Sequence, residues 1–293
     1  MRCIKVYHEE GAAEMTKQTV KAATIMLQGT ASDVGKSVMT AALCRIFKQD
    51  GYRTAPFKSQ NMSIHTYKTK DGGEIGASQG MQAAACGIEA DADMNPILLK
   101  PCGEMRSQVI LRGRPLADLD ARAYYREGFL DEAQIAARQS LDRLREQYEI
   151  VVIEGAGSPA EINLRDRDIV NMRVAEWAEA PVLLAADIDR GGMFASVVGT
   201  LELLEAHERA RVKGIIVNKF RGDVSLLLPG IRWLEERAGI PVVGIVPYLP
   251  DLRLADEDSP AEFDRLADHV RQAVDMSRIY TIMGLNQEGR NKG

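Results

Sequence analysis

The strongest constraint on this chain is one glycine-containing segment, Gly29-Thr30-Ala31-Ser32-Asp33-Val34-Gly35-Lys36-Ser37. An apolar run, Ala23–Gln28, precedes it, and a helical pattern starts at its last residue. A turn between a buried strand and a helix directs backbone N–H groups at the helix start, where negative charge is favoured. The segment therefore predicts a phosphate-binding loop that opens a helix.

Two side chains of this loop carry the predicted chemistry. Lys36 is expected to reach the β- and γ-phosphates of ATP, and Ser37 to place its hydroxyl on Mg²⁺. The strict loop pattern has glycine where Thr30 stands, and Gly29 lies one position earlier, so the loop is a variant that is longer by one residue. The alternative is a plain strand-to-helix turn. The predicted nucleotide-binding residues of the loop are Gly29, Thr30, Ser32, Asp33, Val34, Gly35, Lys36 and Ser37.

Short apolar runs alternate with longer amphipathic segments along most of the chain. Runs that are rich in Val and Ile and lack polar alternation are typical of strands buried on both faces. Repeated strand–helix order predicts an α/β fold of the phosphate-loop NTPase type, a mainly parallel β-sheet with helices on both faces. The predicted strands are Ala23–Gln28, Thr54–Phe57, Ile150–Ile153, Pro181–Ala186, Val212–Val217 and Pro241–Val246, and the predicted helices are Ser37–Gln49, Ala77–Cys86, Asp131–Tyr148, Asn171–Ala178, Met193–Leu204 and Leu228–Arg237.

Charged or amide side chains follow several of these predicted strands. Glu154, which is followed by small residues, is predicted to be a second Mg²⁺ ligand, either directly or through water. Lys58 is predicted to neutralise charge on a transferred γ-phosphoryl group. Asn218 is predicted to contact the adenine edge, and Asp189 and Arg190 are predicted to lie on the same rim. Each residue alone also fits a solvated strand end, but together they match the ligand crevice of an open α/β sheet.

The chain divides into three segments at this level. Residues 1–20 lack the apolar stretch of a signal peptide and are predicted to be a disordered extension, with Met15 as an alternative start. Residues 21–259 form the predicted ATP-binding domain, in which Gln108–Leu111 is expected to be an edge strand or hairpin beside the main sheet. The composition shifts at Asp256–Pro260, and residues 260–293 are predicted to hold a helix from about Glu262 to Met276 and a polar tail.

The composition excludes several classes of protein. A net charge of −5 with 27% charged residues lacks the clustered basic excess of a nucleic-acid binder. No apolar run reaches the roughly eighteen residues that a membrane helix needs, so we expect no membrane partner and a cytoplasmic location. The four scattered cysteines, without a CxxC pair, fit reduced thiols better than disulfides or a zinc site.

Eight longer motifs carry a family resemblance, and they are residues 28–37, 56–63, 69–76, 93–101, 152–164, 187–192, 218–223 and 246–252. Together they resemble cobyric acid synthase over about Ala23 to Ser259. The loop also resembles that of dethiobiotin synthetase, which shares the additional residue. The resemblance therefore covers most of the chain and rests on long motifs.

The resemblance implies an ATP- and Mg²⁺-dependent amide ligase of cobalamin biosynthesis. Such enzymes convert peripheral carboxylates of the corrinoid adenosylcobyrinic acid a,c-diamide to amides. A carboxylate attacks the γ-phosphate, and ammonia then displaces the acyl phosphate. By this resemblance Lys36, Lys58 and Glu154 are the catalytic residues. The substrate contacts expected from it are Gln60, Asn61, Glu74, Asn95, Lys100, Asp189 and Arg190.

The sequence departs from the family in one large respect. Family members carry a C-terminal glutaminase domain with a Cys-His-Glu triad, whereas no cysteine follows Cys102 here and the last histidine is His269. We therefore expect no intrinsic glutaminase activity, with ammonia supplied free or by a separate glutaminase, and a homodimer is a further expected partner. Two alternatives stay open: an inactive truncated copy, and a partition-type ATPase switch that dimerises around ATP. The second loop lysine of such switches is absent between Gly29 and Gly35.

Overall fold

The structure is a computed structural model that describes residues 21–104, 106–120, 124, 128–252 and 260–285. The predicted extension 1–20 with Met15, most of the composition shift near residue 256, and the polar tail from residue 287 lie outside the described residues. In the described part of the chain, no helix is long and apolar enough to cross a membrane.

Six parallel strands form the central sheet, and each corresponds to a predicted strand. In chain order the described strands are β1 (Ala23–Gly29), β2 (Thr54–Phe57), β3 (Gln60–Met62), β4 (Thr66–Lys68), β5 (Glu74–Gly76), β6 (Ile97–Gly103), β7 (Arg106–Leu111), β8 (Arg114–Asp120), β9 (Ile150–Glu154), β10 (Val182–Asp187), β11 (Val212–Phe220) and β12 (Val242–Pro247). The central sheet has the order β12-β11-β10-β1-β9-β2, with every pair parallel. The strand that leads into the phosphate loop therefore lies between two parallel neighbours.

Helices cover both faces of this sheet, as predicted. In chain order the described helices are α1 (Lys36–Gln49), α2 (Ala77–Cys86), α3 (Phe129–Gln147), α4 (Met172–Trp177), α5 (Met193–Leu203), α6 (Ala206–Arg209), α7 (Val224–Ala238), α8 (Pro260–Ala273) and α9 (Met276–Ile282). Met26 of β1 enters the core that contains residues of α3, α4, α5 and α7. Its neighbours Ile25 and Leu27 enter the opposite core with α1, α8 and α9. Burial on both faces explains why the strands lack polar alternation.

A second sheet, in the order β3-β6-β7-β8, lies beside the central one. Strand β7 contains the predicted Gln108–Leu111 segment, and it pairs antiparallel with both β6 and β8. The hairpin prediction is confirmed, but the edge-strand prediction is wrong, because β7 is an inner strand of a separate sheet. Val109 and Ile110 are fully buried there, which explains the apolar run.

The C-terminal helical segment packs against the phosphate-loop helix. The single helix predicted for about 262–276 is instead two helices, because the backbone N–H of Asp275 bonds to Val243 of β12 and interrupts the helix between α8 and α9. Arg45 of α1 makes a bidentate contact with Asp264 of α8, at 2.7 and 3.0 Å. Arg271 donates to Asp50 at the end of α1 at 2.9 and 3.1 Å. These contacts attach α8 to the helix that begins at the loop.

Candidate functional site

The phosphate loop turns sharply before α1 begins. Gly35 precedes the helix with φ 98°, and Asp33 has φ 59°, so both lie in the left-handed region. Gly29 has no room for a side chain, because a Cβ there would lie 2.6 Å from Val34 Cγ2 and 2.9 Å from Lys36 Nζ. No side chain caps the start of α1 among the described residues. Its first N–H groups can therefore bind an anion.

Lys36 lies along the inside of the loop. Its Nζ donates to the carbonyl oxygens of Ala31 and Gly157, each at 2.8 Å. Burial lowers the pKa of Lys36 to about 8, although the charge of Glu154 acts in the opposite direction. Because its charge is poorly solvated in the protein alone, the ammonium group gains stabilisation from a phosphate placed in the loop.

Glu154, at the end of β9, is the centre of the site. Its side chain is 1% exposed, and its Oε1 atom accepts hydrogen bonds from Ser37 Oγ at 2.7 Å and from Lys58 Nζ at 2.8 Å. Burial by itself would raise the pKa of Glu154. The charge and hydrogen bond of Lys58, with hydrogen bonds from Gln82 and Ser37, outweigh burial and lower that pKa below its usual value. The structure thus brings together three residues that the sequence marks at separate strand and helix ends.

Two residues of this site were missed by the sequence analysis. Gln82 of α2 donates through Nε2 to Glu154 Oε2 at 2.6 Å and to the carbonyl oxygen of Ser37 at 3.2 Å. Gln79, one helical turn earlier, donates to the same carboxylate oxygen at 3.4 Å. Both side chains are fully buried. Two glutamines three residues apart in a helix of small residues lie on one face, and this spacing was the available signal.

The oxygen atoms at the loop fit a magnesium ion. Ser37 Oγ and Glu154 Oε1 lie 2.7 Å apart at the start of α1. Mg²⁺ in nucleotide sites takes one or two protein oxygens and completes its shell with phosphate oxygens and water. Among the described residues no group of three or more His, Cys, Asp or Glu side chains could hold a metal by itself. The donor set therefore suits a metal that arrives with a nucleotide.

A set of charged side chains surrounds the outer side of the loop. Lys219 Nζ donates to Asp187 Oδ2 and to the carbonyl oxygen of Asp33, each at 2.7 Å. Arg190 Nε lies 3.5 Å from Asp187, and its Nη2 lies 3.7 Å from the Asp33 carboxylate. The side chains of Arg190 and Asp33 are 56% and 81% exposed. Arg190 and Asp33 are therefore open to solvent, whereas the Asp187 carboxylate between them and Lys219 is 3% exposed.

An apolar cavity of about 150 Å³ adjoins the loop on the α8 side. Asn218 lies at this cavity, and its Nδ2 donates to the carbonyl oxygen of Val34 at 2.8 Å. Arg221 stacks on Tyr248, with 3.5 Å from Cζ to the ring centroid, and donates to Asp189 at 3.2 Å. The lining comprises Gly35, Val38, Met39, Asn218, Lys219, Val246, Pro247, Tyr248, Leu249, Leu252, Leu266, His269 and Val270. Its position and apolar walls suit a nucleotide base, whereas contact between Asn218 and adenine stays a prediction.

Three of the predicted substrate residues at or near the second sheet are only partly buried. Lys100 of β6 donates to Glu74 of β5 at 2.8 Å, and the pKa of Glu74 is lowered by this bond and by one from Thr66. Gln60 of β3 accepts a hydrogen bond from Tyr124. Glu74 and Lys100 are half-buried, so part of each side chain stays accessible to a ligand.

Two other predicted substrate residues are used inside the protein. Asn95 is 1% exposed, and its Nδ2 donates to the carbonyl oxygens of Lys58 and Ile97 at 3.0 Å each. Its Oδ1 accepts from the backbone N–H of Gly76 at 3.0 Å. Asn61 donates to Gln79 Oε1 at 3.0 Å. These amides are therefore engaged in fixing the segments that carry Lys58 and the buried glutamines.

Two cavities on the second-sheet side meet at the exposed side chain of Met62. One, of about 280 Å³, is lined by side chains of β6, β7 and β8 and is mainly apolar. The other, of about 270 Å³, reaches Gly157, whose carbonyl oxygen binds Lys36, and includes Arg165 and Arg167. A ligand spanning both would extend from an apolar surface to the phosphate loop.

The comparison with solved structures gives weak matches. The signal recognition particle receptor FtsY from Elizabethkingia anophelis in complex with GDP is 16% identical, covering 88% of this chain and 66% of that chain, with a TM-score of 0.46. The MinC:MinD cell division protein complex of Aquifex aeolicus is 12% identical, covering 86% of this chain and 95% of that chain, with a TM-score of 0.47.

Curated relatives are much more similar. The cobyric acid synthase of Desulforamulus reducens is 60% identical over 240 residues, covering 82% of this chain and 47% of that protein. The cobyric acid synthase of Geobacillus kaustophilus is 56% identical over 261 residues, covering 88% of this chain and 52% of that protein. The chain thus spans about half the length of these relatives. Residues 25–261 match the family model described as the CobQ/CobB/MinD/ParA nucleotide binding domain. Since that match covers most of the chain, the protein belongs to the CobQ/CobB/MinD/ParA nucleotide-binding family, on its cobyric acid synthase branch.

Proposed function

We propose that this chain catalyses ATP-dependent amidation of peripheral carboxylates of adenosylcobyrinic acid a,c-diamide, a step of cobalamin biosynthesis. The observation that carries the proposal is the contact of Ser37 and Lys58 with one buried oxygen of Glu154, at 2.7 and 2.8 Å, beside the phosphate loop. The relatives at 56–60% identity support the class of substrate.

The reaction that fits these residues has two steps. A carboxylate oxygen of the substrate attacks the γ-phosphorus, the bond to the β–γ bridging oxygen breaks, and ADP leaves. Ammonia then adds to the carbonyl carbon of the acyl phosphate, phosphate departs, and a proton passes from nitrogen to phosphate. Neither step requires a protein nucleophile, so alignment and charge neutralisation are the main contributions.

Each residue of the site has a part in this chemistry. Lys36 holds the β- and γ-phosphates, while Lys58 lies where it can neutralise charge as the γ-phosphoryl group transfers. Ser37 and Glu154 would hold Mg²⁺, which when bound neutralises the phosphate oxygens. Since Lys58 already bonds to Glu154 at 2.8 Å, its ammonium group is held in place before substrate arrives.

The corrinoid is proposed to lie over the two cavities that meet at Met62. The apolar cavity under β6–β8 suits an apolar part of a large ligand, and the second cavity leads to the loop. The second cavity contains the cationic groups Arg165 and Arg167 beside the carboxylates of Glu161, Asp168 and Glu208, and Arg165 already donates to Glu205 at 2.8 Å. Gln60 borders the same cavity and retains its predicted role in substrate contact.

The proposal is tested with the diamide substrate, ATP, MgCl₂ and ammonium chloride as the nitrogen source. We expect substrate-dependent ADP release together with corrinoid products that are lighter by about one mass unit for each amidation. Lys36→Ala and Glu154→Gln are expected to abolish turnover. Lys70→Ala removes an exposed lysine paired with Glu89 and is the matched control, expected to retain full turnover.

Two outcomes would contradict the proposal. A folded wild-type protein without substrate-stimulated ADP release would reject the ligase. ATP-dependent dimerisation without any need for the corrinoid would instead favour the nucleotide-switch alternative, and sedimentation with ADP, ATP and no nucleotide measures it.

A further inference from the structure

We propose that Asn61, Gln79 and Gln82 form a chain of positioning residues that orients Glu154 for the nucleotide-bound metal. This amide chain connects β3 of the second sheet to the carboxylate beside the phosphate loop. The inference rests on the proposed function, because it assumes that a nucleotide and Mg²⁺ bind at Ser37 and Glu154.

The two oxygens of Glu154 have different partners. Oε1 accepts from Ser37 and Lys58, whereas Oε2 accepts from Gln82 at 2.6 Å and from Gln79 at 3.4 Å. A carboxylate held on one oxygen by neutral amides cannot rotate freely, so its other oxygen keeps facing the loop hydroxyl. Neutral donors achieve this without adding a second cation that would compete with a metal.

Gln82 also bonds to the phosphate loop itself. Its Nε2 donates to the carbonyl oxygen of Ser37 at 3.2 Å. The same amide therefore contacts both the backbone of Ser37 and the Glu154 carboxylate that accepts from the Ser37 hydroxyl. This double contact fixes the distance between the helix start and the end of β9. We therefore expect Gln82 to have the largest influence of the three amides.

The chain continues to the second sheet through Asn61. Its Nδ2 donates to Gln79 Oε1 at 3.0 Å, and its backbone belongs to β3, which pairs with β6. Gly76 leaves space for this contact, because a Cβ at position 76 would lie 2.2 Å from Asn61 Nδ2 and 2.8 Å from Gln79 Oε1. A strand on the proposed substrate side is thus linked to the metal carboxylate through buried hydrogen bonds.

The test measures ADP binding by calorimetry over a range of Mg²⁺ concentrations, with and without chelator. In Gln82→Met, which preserves length and removes the amide, we expect about tenfold more Mg²⁺ for half-maximal enhancement of ADP affinity. The affinity for ADP in chelator is expected to stay within twofold of the wild type. A merely structural role would lower thermal stability without moving the Mg²⁺ requirement.

Two further variants and one control complete the design. Gln79→Met and Gly76→Ala are expected to raise the Mg²⁺ requirement about threefold, the latter by displacing Asn61 without removing a polar group. Thr40→Val is the control, since Thr40 is buried on α1 and its hydroxyl has no hydrogen-bond partner among the described residues. It is expected to leave the requirement unchanged.

The outcomes separate this inference from the proposed function. If the wild type shows no ADP binding or no Mg²⁺ enhancement, the proposed function itself fails. If the wild type shows both and Gln82→Met keeps the wild-type Mg²⁺ requirement, the positioning chain is overturned. If Gln82→Met does not fold, an unchanged requirement in both Gln79→Met and Gly76→Ala overturns it.

Discussion

The site has two charged regions that meet at the phosphate loop and differ in burial. The buried centre consists of Lys36, Ser37, Lys58, Glu154 and Gln82, and the ionic rim consists of Asp33, Asp189, Arg190 and Lys219, which lie around the buried carboxylate of Asp187. Glu154 in the buried centre is 1% exposed, whereas Arg190 in the ionic rim is 56% exposed. Both regions include residues at the carboxyl ends of parallel strands, so topology alone does not distinguish them.

The difference in burial predicts a difference in energy and in function. Buried charges must be satisfied by well-placed partners, so removing one partner is costly and the geometry is fixed before ligand binding. Exposed ion pairs contribute little, because water and salt screen them. We infer that the buried centre sets the positions of the reacting groups, whereas the ionic rim mainly contributes to the local electrostatic potential around the nucleotide.

Lys58→Met is expected to have the largest effect of the variants that test the contrast between the buried centre and the ionic rim. It leaves the Glu154 carboxylate buried without its cation, and we expect the free energy of unfolding to fall by about 3–5 kcal/mol. Urea denaturation of the protein without nucleotide measures this value. The double variant Lys58→Met/Glu154→Gln, which removes both charges and keeps an oxygen acceptor for the buried donors, is expected to recover most of the loss. If Lys58→Met lowers the free energy of unfolding by less than about 1 kcal/mol, the Lys58–Glu154 pair contributes no more than an exposed ion pair, which contradicts the contrast.

Gly29→Ala perturbs the buried centre without removing any charge. The new Cβ would lie 2.9 Å from Lys36 Nζ and 2.6 Å from Val34, so the lysine must move from its loop position. We expect about tenfold weaker ADP binding, or about 1.4 kcal/mol, by calorimetry. Gly51→Ala is the comparison, since it also replaces a glycine but has open space around the added Cβ. Because Gly51 has φ 85°, Gly51→Ala strains the backbone, and it shows how much ADP affinity changes through lost stability alone. Equal ADP affinity in wild type and Gly29→Ala would contradict the steric argument.

The lowered pKa of Lys36 gives the buried centre a pH signature. Burial lowers the pKa of Lys36 to about 8 in the protein without ligand, and bound phosphate should raise it again. If protonated Lys36 is the form that binds phosphate, ADP affinity is full at about pH 7 and below and falls as pH rises through about 8. Between pH 8 and 9 we expect a decrease of about fivefold.

Calorimetry in two buffers with different ionisation enthalpies measures the associated proton uptake. Lys36→Arg keeps its charge over this range and should show neither the decrease nor the uptake. If the wild type shows the same flat profile as Lys36→Arg, Lys36 does not titrate near pH 8.

Arg190→Ala should have the smallest effect. Its guanidinium is largely exposed and lies 3.5 Å from Asp187 and 3.7 Å from Asp33. The buried carboxylate of Asp187 keeps its closer partner, Lys219, at 2.7 Å. We expect a change in unfolding free energy of about 0–1 kcal/mol, by the urea measurement used for Lys58→Met. A loss as large as that of Lys58→Met would remove the distinction between the ionic rim and the buried centre.

The sequence predicted the central sheet well because every strand in it has the same environment. A strand buried on both faces must be apolar throughout, and the six runs reproduce the six parallel strands within a few residues. The small second sheet was harder, because its strands are only partly buried and give weaker apolar runs. Gln108–Leu111 shows that a segment is apolar and buried, but only pairing with β6 and β8 makes it an inner strand.

The site was predictable where a residue follows a strand and unpredictable where it depends on packing. Ser37, Lys58 and Glu154 stand at loop or strand ends, which topology brings together. Gln82 contacts the Glu154 carboxylate from the middle of α2. The sequence of that helix does not indicate which other element its buried face packs against. Asn95 was predicted to contact substrate, yet its amide is used by backbone groups.

The docking of α8 onto α1 has a consequence for synthesis on the ribosome. Arg45 and Asp264 are separated by 219 residues, and Leu266, His269 and Val270 form part of the cavity beside the loop. At about 5–20 residues per second, the interval between emergence of the loop and of this wall is on the order of ten seconds or more. The phosphate-loop segment of a nascent chain is therefore synthesised well before the chain can enclose a nucleotide base.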